Sequence, residues 1–177
     1  MNPRLDTSPG SAPPQVVLLS EWRRSHGHAP TIRAARAEEA AMLTSLCLRT
    51  KASLGIGEDM LRLWAPALTI PAEAIDAGRV LVAVEAAALG VAAGGPVIDG
   101  MAELALLCVD PSAVGHGVGR ALFGAITAQL HGQGARRMTI LADRSAASFY
   151  RRLGAVPTGV APGVDGRMLP SFVLELA

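Results

Sequence analysis

The sequence is poor in aromatic residues and in cysteine. Phenylalanine, tryptophan and tyrosine together make up 3% of the 177 residues, and Tyr150 is the one tyrosine. The two cysteines, Cys47 and Cys108, lie in apolar stretches without a CxxC or a Cys/His spacing. This pattern suggests neither a disulfide framework nor a zinc site, and no metal is expected. We expect two buried free thiols.

An excess of one charge and long apolar runs are also missing. The chain has 16 Lys and Arg against 15 Asp and Glu, a formal net charge of +1, which argues against a nucleic-acid partner. Its apolar runs fall short of the ~20 residues that a transmembrane helix needs, and the N-terminus lacks the pattern of a signal peptide. We therefore expect a cytoplasmic protein with no membrane partner.

What the chain does have is enough apolar sequence for one hydrophobic core. Half of its residues are apolar, and the length favours a single domain. Residues 1–29 differ from the rest because they are rich in proline, serine and glycine and contain one short apolar patch, Val16–Leu19. Such a composition buries too little surface to offset the entropy of ordering. We predict a flexible tail over 1–29 and a domain over 30–177.

Apolar periodicity predicts alternating short strands and helices across this domain. Helices are predicted over residues 37–48, 59–64, 71–78, 118–130 and 145–154, with a break at Pro66 and with Ser145 available as a cap. Strands are predicted over residues 31–33, 79–84, 89–93, 102–109, 138–141, 155–160 and 171–176. The helix over 118–130 is the most regular, since an apolar residue recurs at every fourth position.

The most informative segment joins the predicted strand 102–109 to this helix. Three alternating glycines, Gly115, Gly117 and Gly119, stand between them. Glycine allows a tight turn and leaves backbone N–H groups open to a ligand, while the start of the helix adds unpaired amides and the positive end of its dipole. The segment therefore predicts a phosphate-binding loop.

A dinucleotide-binding Rossmann unit also has a strand, a glycine loop and a helix, and Asp143 could supply its acidic residue. The spacing argues against it. Counted from Gly115 or from Gly117, the third position of G-x-G-x-x-G is Arg120 or Leu122. Only 34 residues follow Asp143, too few for the remaining strands of a doubly wound sheet.

The same residues resemble the GNAT superfamily of acyl-CoA-dependent N-acyltransferases. Val114-Gly115-His116-Gly117-Val118-Gly119 stands where the family has its glycine motif, and Cys108-Val109-Asp110-Pro111 before it is similar to the family's strand ending. Residues 143–155 are similar to the family's Asn-Ala-x-x-Phe-Tyr-x-x-x-Gly-Phe segment. The resemblance covers residues 31–177 and implies an α+β fold with α/β/α layers, in which a mixed, mostly antiparallel sheet of six to seven strands is flanked by about four helices.

The resemblance implies acetyl-CoA as the cosubstrate, bound largely by main-chain amides. Two residues depart from the family pattern: Val114 replaces Gln or Arg, and Ser145 replaces Asn. The positions implied in CoA binding are Leu107, Cys108, Val109, Val114, Gly115, His116, Gly117, Val118, Gly119, Arg120 and Ser145.

The implied reaction is direct attack of an acceptor amine on the thioester, without a covalent enzyme intermediate. The family places a tyrosine beside the CoA sulfur, and this implies that Tyr150 protonates the leaving thiolate; the alternative is a ring that only packs. Glu103 is the candidate base, against the alternative of a solvent-exposed strand carboxylate. Cys108 as an acyl carrier is disfavoured, because a strand cysteine in an apolar run usually belongs to the core.

The acceptor is not specified by the motifs. In the family its pocket is formed by the first helices and the last strands, here residues 49–64 and 160–170, where the sequence has few aromatics and no decisive charge cluster. A small-molecule amine or a peptide amine both fit. The alternative function is a catalytically silent CoA-binding or regulatory module. The resemblance also allows a homodimer.

Overall fold

The computed structural model describes residues 30–177; the tail predicted over residues 1–29 lies outside the described residues. Within them the chain forms seven strands: β1 (Thr31–Ala34), β2 (Val80–Val84), β3 (Ala88–Gly94), β4 (Met101–Val109), β5 (Arg137–Leu141), β6 (Val156–Pro162) and β7 (Met168–Glu175). It also forms five α-helices: α1 (Ala40–Ser53), α2 (Glu58–Leu68), α3 (Ala72–Asp76), α4 (Val118–Gly132) and α5 (Ala147–Arg152).

The strands form one open sheet in the order β1-β2-β3-β4-β5-β7-β6. β4 and β5 pair in parallel, and every other neighbouring pair is antiparallel. The parallel pair requires a crossover connection, which α4 supplies. The predicted mixed, mostly antiparallel sheet and the α+β class are therefore confirmed, with five helices where about four were expected.

Helices cover both faces of the sheet and divide the core into two clusters. On one face α4 packs with Val118, Leu122, Ile126 and Leu130, all fully buried, as the periodicity predicts. On the other face α1, α2 and α3 form the second cluster, which includes Cys47. Complete burial of a large aliphatic side chain contributes about 1.5–3 kcal/mol, so these two layers hold the helices to the sheet.

The predicted break at Pro66 is wrong, because α2 continues through it to Leu68. Proline lacks an N–H group, so the carbonyl of Arg62, four residues earlier, loses its helical partner. Pro66 is exposed, and water can serve that carbonyl instead. Trp64 and Leu68 are both buried on the inner face of α2, and this packing maintains the helix across the proline.

The last strand begins earlier than predicted, at Met168 instead of Ser171. Pro170 lies inside it, paired in register with Val160, and its carbonyl accepts a hydrogen bond from Ala142 N–H at 3.0 Å. A proline within an apolar segment predicts the boundary of a strand, because proline has no N–H group to donate to the neighbouring strand. Here its carbonyl still takes part, and the strand extends to the turn before Met168.

One irregularity in β4 determines where the site lies. Gly94 pairs with Leu104 and Ala93 with Leu106, which leaves Ala105 as an extra residue, a β-bulge. Before the bulge the even-numbered residues Ala102 and Leu104 face α4. After the bulge the alternation is shifted by one residue, and Leu107 faces α4. The pairing of β4 with β5 ends at Leu104, and from Ala105 onward β4 has no strand partner on the β5 side.

Candidate active site

A cavity of about 210 Å³ opens where β4 and β5 separate. One wall is residues 104–108 of β4, and the opposite wall is residues 141–143 after β5, with Tyr150 from α5. Residues from α1, α2 and the β6–β7 connection complete it. The bulge at Ala105 ends the strand pairing, and the cavity occupies the space this leaves.

The backbone of β4 lies open along this cavity. Asp110 N–H donates to Leu89 on the β3 side, whereas the carbonyl of Val109 accepts from the Thr50 hydroxyl at 2.9 Å. Because backbone groups alternate in direction along a strand, the N–H and C=O of Leu107 point to the same open side as those of Val109. Leu107 and Cys108 line the cavity, but Val109 does not.

Tyr150 is buried, with 7% of its surface exposed, and lines the cavity. Its ring packs against Phe149, Phe123 and Phe172, with centroids 5.1, 5.8 and 6.2 Å away. Burial raises the pKa of its phenol, and electrostatic interactions with the neighbouring Cys108 and Asp143 raise it further. The phenol is therefore a fully protonated hydrogen-bond donor at neutral pH.

The glycine loop lies between β4 and α4. Gly115 and Gly117 have φ of 85° and 83°, in the left-handed region, and Gly117 is the N-cap of α4. A Cβ at either position would meet no atom within 4 Å, so glycine is required there by backbone conformation and not by lack of space. A Cβ atom placed on Gly119 would lie 3.4 Å from a methyl carbon of Val109 and 3.6 Å from the Phe149 ring. The start of α4 is therefore close to the end of β4.

The loop presents main-chain donors instead of a side-chain cluster. The N–H groups of residues 117–120 make no hydrogen bond to another group in the described part of the chain, as is usual for the first turn of a helix. The Val118 side chain is fully buried, while Val114 and Arg120 are exposed and His116 is half-buried. Asp110 forms the preceding turn by accepting from Ser112 N–H at 3.1 Å and from its hydroxyl at 2.7 Å.

Two residues singled out from the sequence lie outside this cavity. Glu103 is exposed and paired opposite Thr139, and its side chain does not line the cavity, although Ala105 two residues later does. Ser145 is exposed in a 3-10 turn before α5 and makes no capping hydrogen bond to that helix, so its predicted capping is wrong. It lines a second cavity instead.

The sequence missed a cluster of charged residues around Trp64. Lys51 forms an ion pair with Asp143 and lies 5.8 Å from the Trp64 ring centroid. On the same ring the Arg167 guanidinium lies at 5.0 Å, and the Trp64 indole N–H donates to Asp165 at 3.2 Å. Segments 49–64 and 160–170 do meet as expected, but they form a charge cluster that neither segment indicates by itself.

The cysteines are confirmed as buried free thiols. Cys47 on α1 and Cys108 on β4 are in contact, and the hydrogen bond to Cys108 together with burial raises the pKa of the Cys47 thiol. No group of three His, Cys, Asp or Glu side chains among residues 30–177 could hold a metal ion. In the same range, no helix combines the length and the apolar character needed to cross a membrane.

The structure is that of an α+β protein with an open mixed sheet and a glycine-rich loop at the start of its crossover helix. Residues 76–154, which include this loop and Tyr150, match the family model described as "Acetyltransferase (GNAT) domain". This segment therefore matches a GNAT acetyltransferase domain, and the predicted resemblance is confirmed.

Solved structures agree on the fold. The PaiA N-acetyltransferase of Thermoplasma acidophilum, in complex with coenzyme A, is 16% identical with a TM-score of 0.66, over 84% of this chain and 99% of that one. A GNAT family acetyltransferase of Brucella melitensis, in complex with acetyl-CoA, is 24% identical with a TM-score of 0.60, over 85% and 90%. A GCN5-related N-acetyltransferase of Rhodopseudomonas palustris is 21% identical with a TM-score of 0.64, over 84% and 97%. No curated protein gave a significant match.

Proposed function

We propose that this chain is an N-acetyltransferase that moves an acetyl group from acetyl-CoA to a primary amine. Its acetyltransferase domain extends over residues 30–177. The complexes of the Thermoplasma acidophilum and Brucella melitensis proteins with coenzyme A and acetyl-CoA support acetyl-CoA as the donor. The glycine loop and the cavity beside β4 are the features of this chain that fit such a ligand.

The donor is held mainly by backbone. The pyrophosphate lies on the loop 114–120, where main-chain N–H groups and the helix dipole favour an anion. The pantetheine arm follows β4, whose Leu107 N–H and C=O face the open side. This mode of binding tolerates Val114 in place of Gln or Arg, because an amide donates irrespective of the side chain it carries.

The reaction is a direct transfer. The acceptor nitrogen forms a bond to the thioester carbon, and the bond from that carbon to sulfur breaks. The amine loses a proton to Glu103 through water, since the carboxylate of Glu103 does not line the cavity. The phenol of Tyr150 gives a proton to the leaving thiolate.

One observation carries the proposal: a buried phenol with a raised pKa lines the same cavity as the open backbone of β4. An acid that must donate to a thiolate has to be protonated before the reaction, and burial ensures that it is. A tyrosine that only packs has no need to reach the cavity.

Thermal unfolding with acetyl-CoA, NAD or ATP tests the donor. At 100 times its dissociation constant a ligand stabilises the native state by about 2.7 kcal/mol, which raises Tm by several degrees. We expect this rise with acetyl-CoA; a rise with NAD or ATP alone would refute the proposal. Release of free thiol from acetyl-CoA over a panel of amines then separates an enzyme from a silent CoA-binding module, which would bind and release none.

A further inference from the structure

A second cavity, of about 440 Å³, adjoins the first beyond Lys51 and Trp64. No residue of β4 lines the second cavity. The residues that line both cavities are Lys51, Trp64, Asp143, Arg167 and Leu169. A donor that follows β4 therefore leaves the second cavity free. It is the space from which an acceptor can reach the thioester.

The charges around this second cavity are unequal. Three cationic side chains line it, Lys51, Arg144 and Arg167, against one carboxylate, that of Asp143. Asp143 is already paired with Lys51. The backbone carbonyl of Arg144 accepts from Ala147 N–H, but its side chain makes no hydrogen bond or ion pair with any residue in the range 30–177. Arg167 is paired with Asp165, so the excess positive charge of this cavity comes from Arg144. This excess favours an anion over an additional cation.

The Arg167 side chain is fixed in place before any ligand binds. Its Nε donates to Asp165 at 2.5 Å, and Asp165, whose side chain is 5% exposed, also accepts from the Arg167 backbone N–H at 3.1 Å. Trp64 lies under the guanidinium. Because Asp165 binds through Nε, the two terminal nitrogens of Arg167 remain available, in the forked geometry that suits a carboxylate or a phosphate.

Resting on the proposed function, we propose that the acceptor is a primary amine that also carries an anionic group, and that Arg144 and Arg167 bind that group in the second cavity. A carboxylate and a phosphate both have the required chemistry. Apart from Ser145, the remaining walls are apolar and include Leu54, Ile56 and Met168, which suits a small acceptor with a hydrocarbon portion. Polyamines and other purely cationic amines are disfavoured by the same charges.

The test is thermal unfolding of the full chain saturated with CoA, which cannot turn over. Matched probes differ only in the anionic group: L-methionine against L-methioninamide for a carboxylate, phosphoethanolamine against ethanolamine for a phosphate, and spermidine as a cation. We expect a further rise in Tm with at least one anionic probe, and a rise at least twofold smaller with its matched amine that lacks the anionic group and with spermidine. Arg144→Gln reduces that rise by half or more, whereas the control Arg152→Gln, at an exposed position outside both cavities, leaves it unchanged.

The outcomes separate this inference from the proposed function. The inference is overturned if spermidine or the amines without an anionic group match or exceed the anionic probes, or if no probe has any effect. If Arg144→Gln weakens the rise caused by CoA itself, Arg144 belongs to the donor site and the inference is again overturned. If CoA causes no rise at all, the proposed function fails first, and the inference falls with it.

Discussion

The proposed donor side and the proposed acceptor side of the site use different parts of the chain. The donor side consists of backbone, from the loop 114–120 and from β4, and its residues are neighbours in sequence. The acceptor side consists of charged side chains around Trp64, whose indole N–H bonds to Asp165, 101 residues away. A site formed by backbone groups keeps its hydrogen bonds when side chains are substituted. A site formed by charged side chains changes its charge and shape with each substitution. A fold can therefore keep one donor while its acceptor varies.

Tyr150 lies between the two sides, and its substitution has the largest expected effect. Tyr150→Phe removes the proton donor and keeps the ring, so kcat should fall about 10²–10⁴-fold with both KM values unchanged. Steady-state thiol release measures it, and an unchanged rise in Tm with acetyl-CoA shows that the ring still packs. If kcat stays within twofold, Tyr150 is only a packing residue.

Glu103 tests whether a base outside the cavity serves the reaction. Glu103→Gln should lower kcat about 100-fold at neutral pH, with less effect at high pH, where more of the acceptor amine is deprotonated. A pH profile of kcat for both forms measures this. Glu85→Gln, at an exposed turn between β2 and β3, is the matched control. Equal kcat values for the Glu103→Gln and Glu85→Gln variants would mean that water, without Glu103, takes the proton of the acceptor amine.

Gly117 tests the donor side by itself. Gly117→Ala has space for its Cβ but holds alanine at φ 83°, which costs about 1–2 kcal/mol. We expect the KM for acetyl-CoA to rise about tenfold and the KM for the acceptor to stay the same. Gly124→Ala, in the exposed middle of α4, is the control and should stabilise the protein by about 0.4–1 kcal/mol. A rise confined to the acceptor KM would reverse the assignment of the two sides.

Asp165 tests the acceptor side in the same way. Asp165→Asn removes the charge that fixes Arg167, so the acceptor KM should rise about threefold to tenfold while the KM for acetyl-CoA and kcat stay the same. Asp59→Asn, in an exposed pair with Arg62 on α2, controls for loss of a carboxylate. A larger change in the KM for acetyl-CoA would show that the cluster belongs to the donor side.

Glu39 lies outside both sides and should affect stability alone. It binds Arg33 at 2.6 and 2.8 Å and accepts from Arg36 N–H, and the hydrogen bonds from Arg33 lower its pKa to about 2. Because the folded state favours the ionised form, its contribution is full above the ordinary pKa of 4.5 and disappears as pH falls toward 2. Glu39→Gln should cost about 1 kcal/mol at pH 7 and progressively less below pH 4.5 by urea unfolding, with both KM values unchanged. A difference that grows at low pH would contradict this.

The sequence predicts the glycine loop, the helix α4 and the short helix that carries Tyr150, because the signals for these elements are local. Gly115 and Gly117 are required by backbone conformation, the apolar residues of α4 recur within one helix, and the segment around Tyr150 is contiguous. The charge cluster has no such signal: Lys51 meets Asp143 across 92 positions, and only the folded sheet brings them together. The predicted boundaries at Pro66 and before Ser171 are wrong for a related reason. Packing of Trp64 and Leu68 keeps α2 intact across Pro66, and the carbonyl of Pro170 keeps its hydrogen bond within the sheet.

A crystal structure of the chain with CoA tests the division between the two sides most directly. We expect the pyrophosphate within hydrogen-bond distance of the N–H groups of the loop 114–120, the sulfur next to the Tyr150 hydroxyl, and the second cavity free of CoA. A pyrophosphate bound by Arg144 and Arg167 in the second cavity, or a sulfur far from Tyr150, would contradict the account.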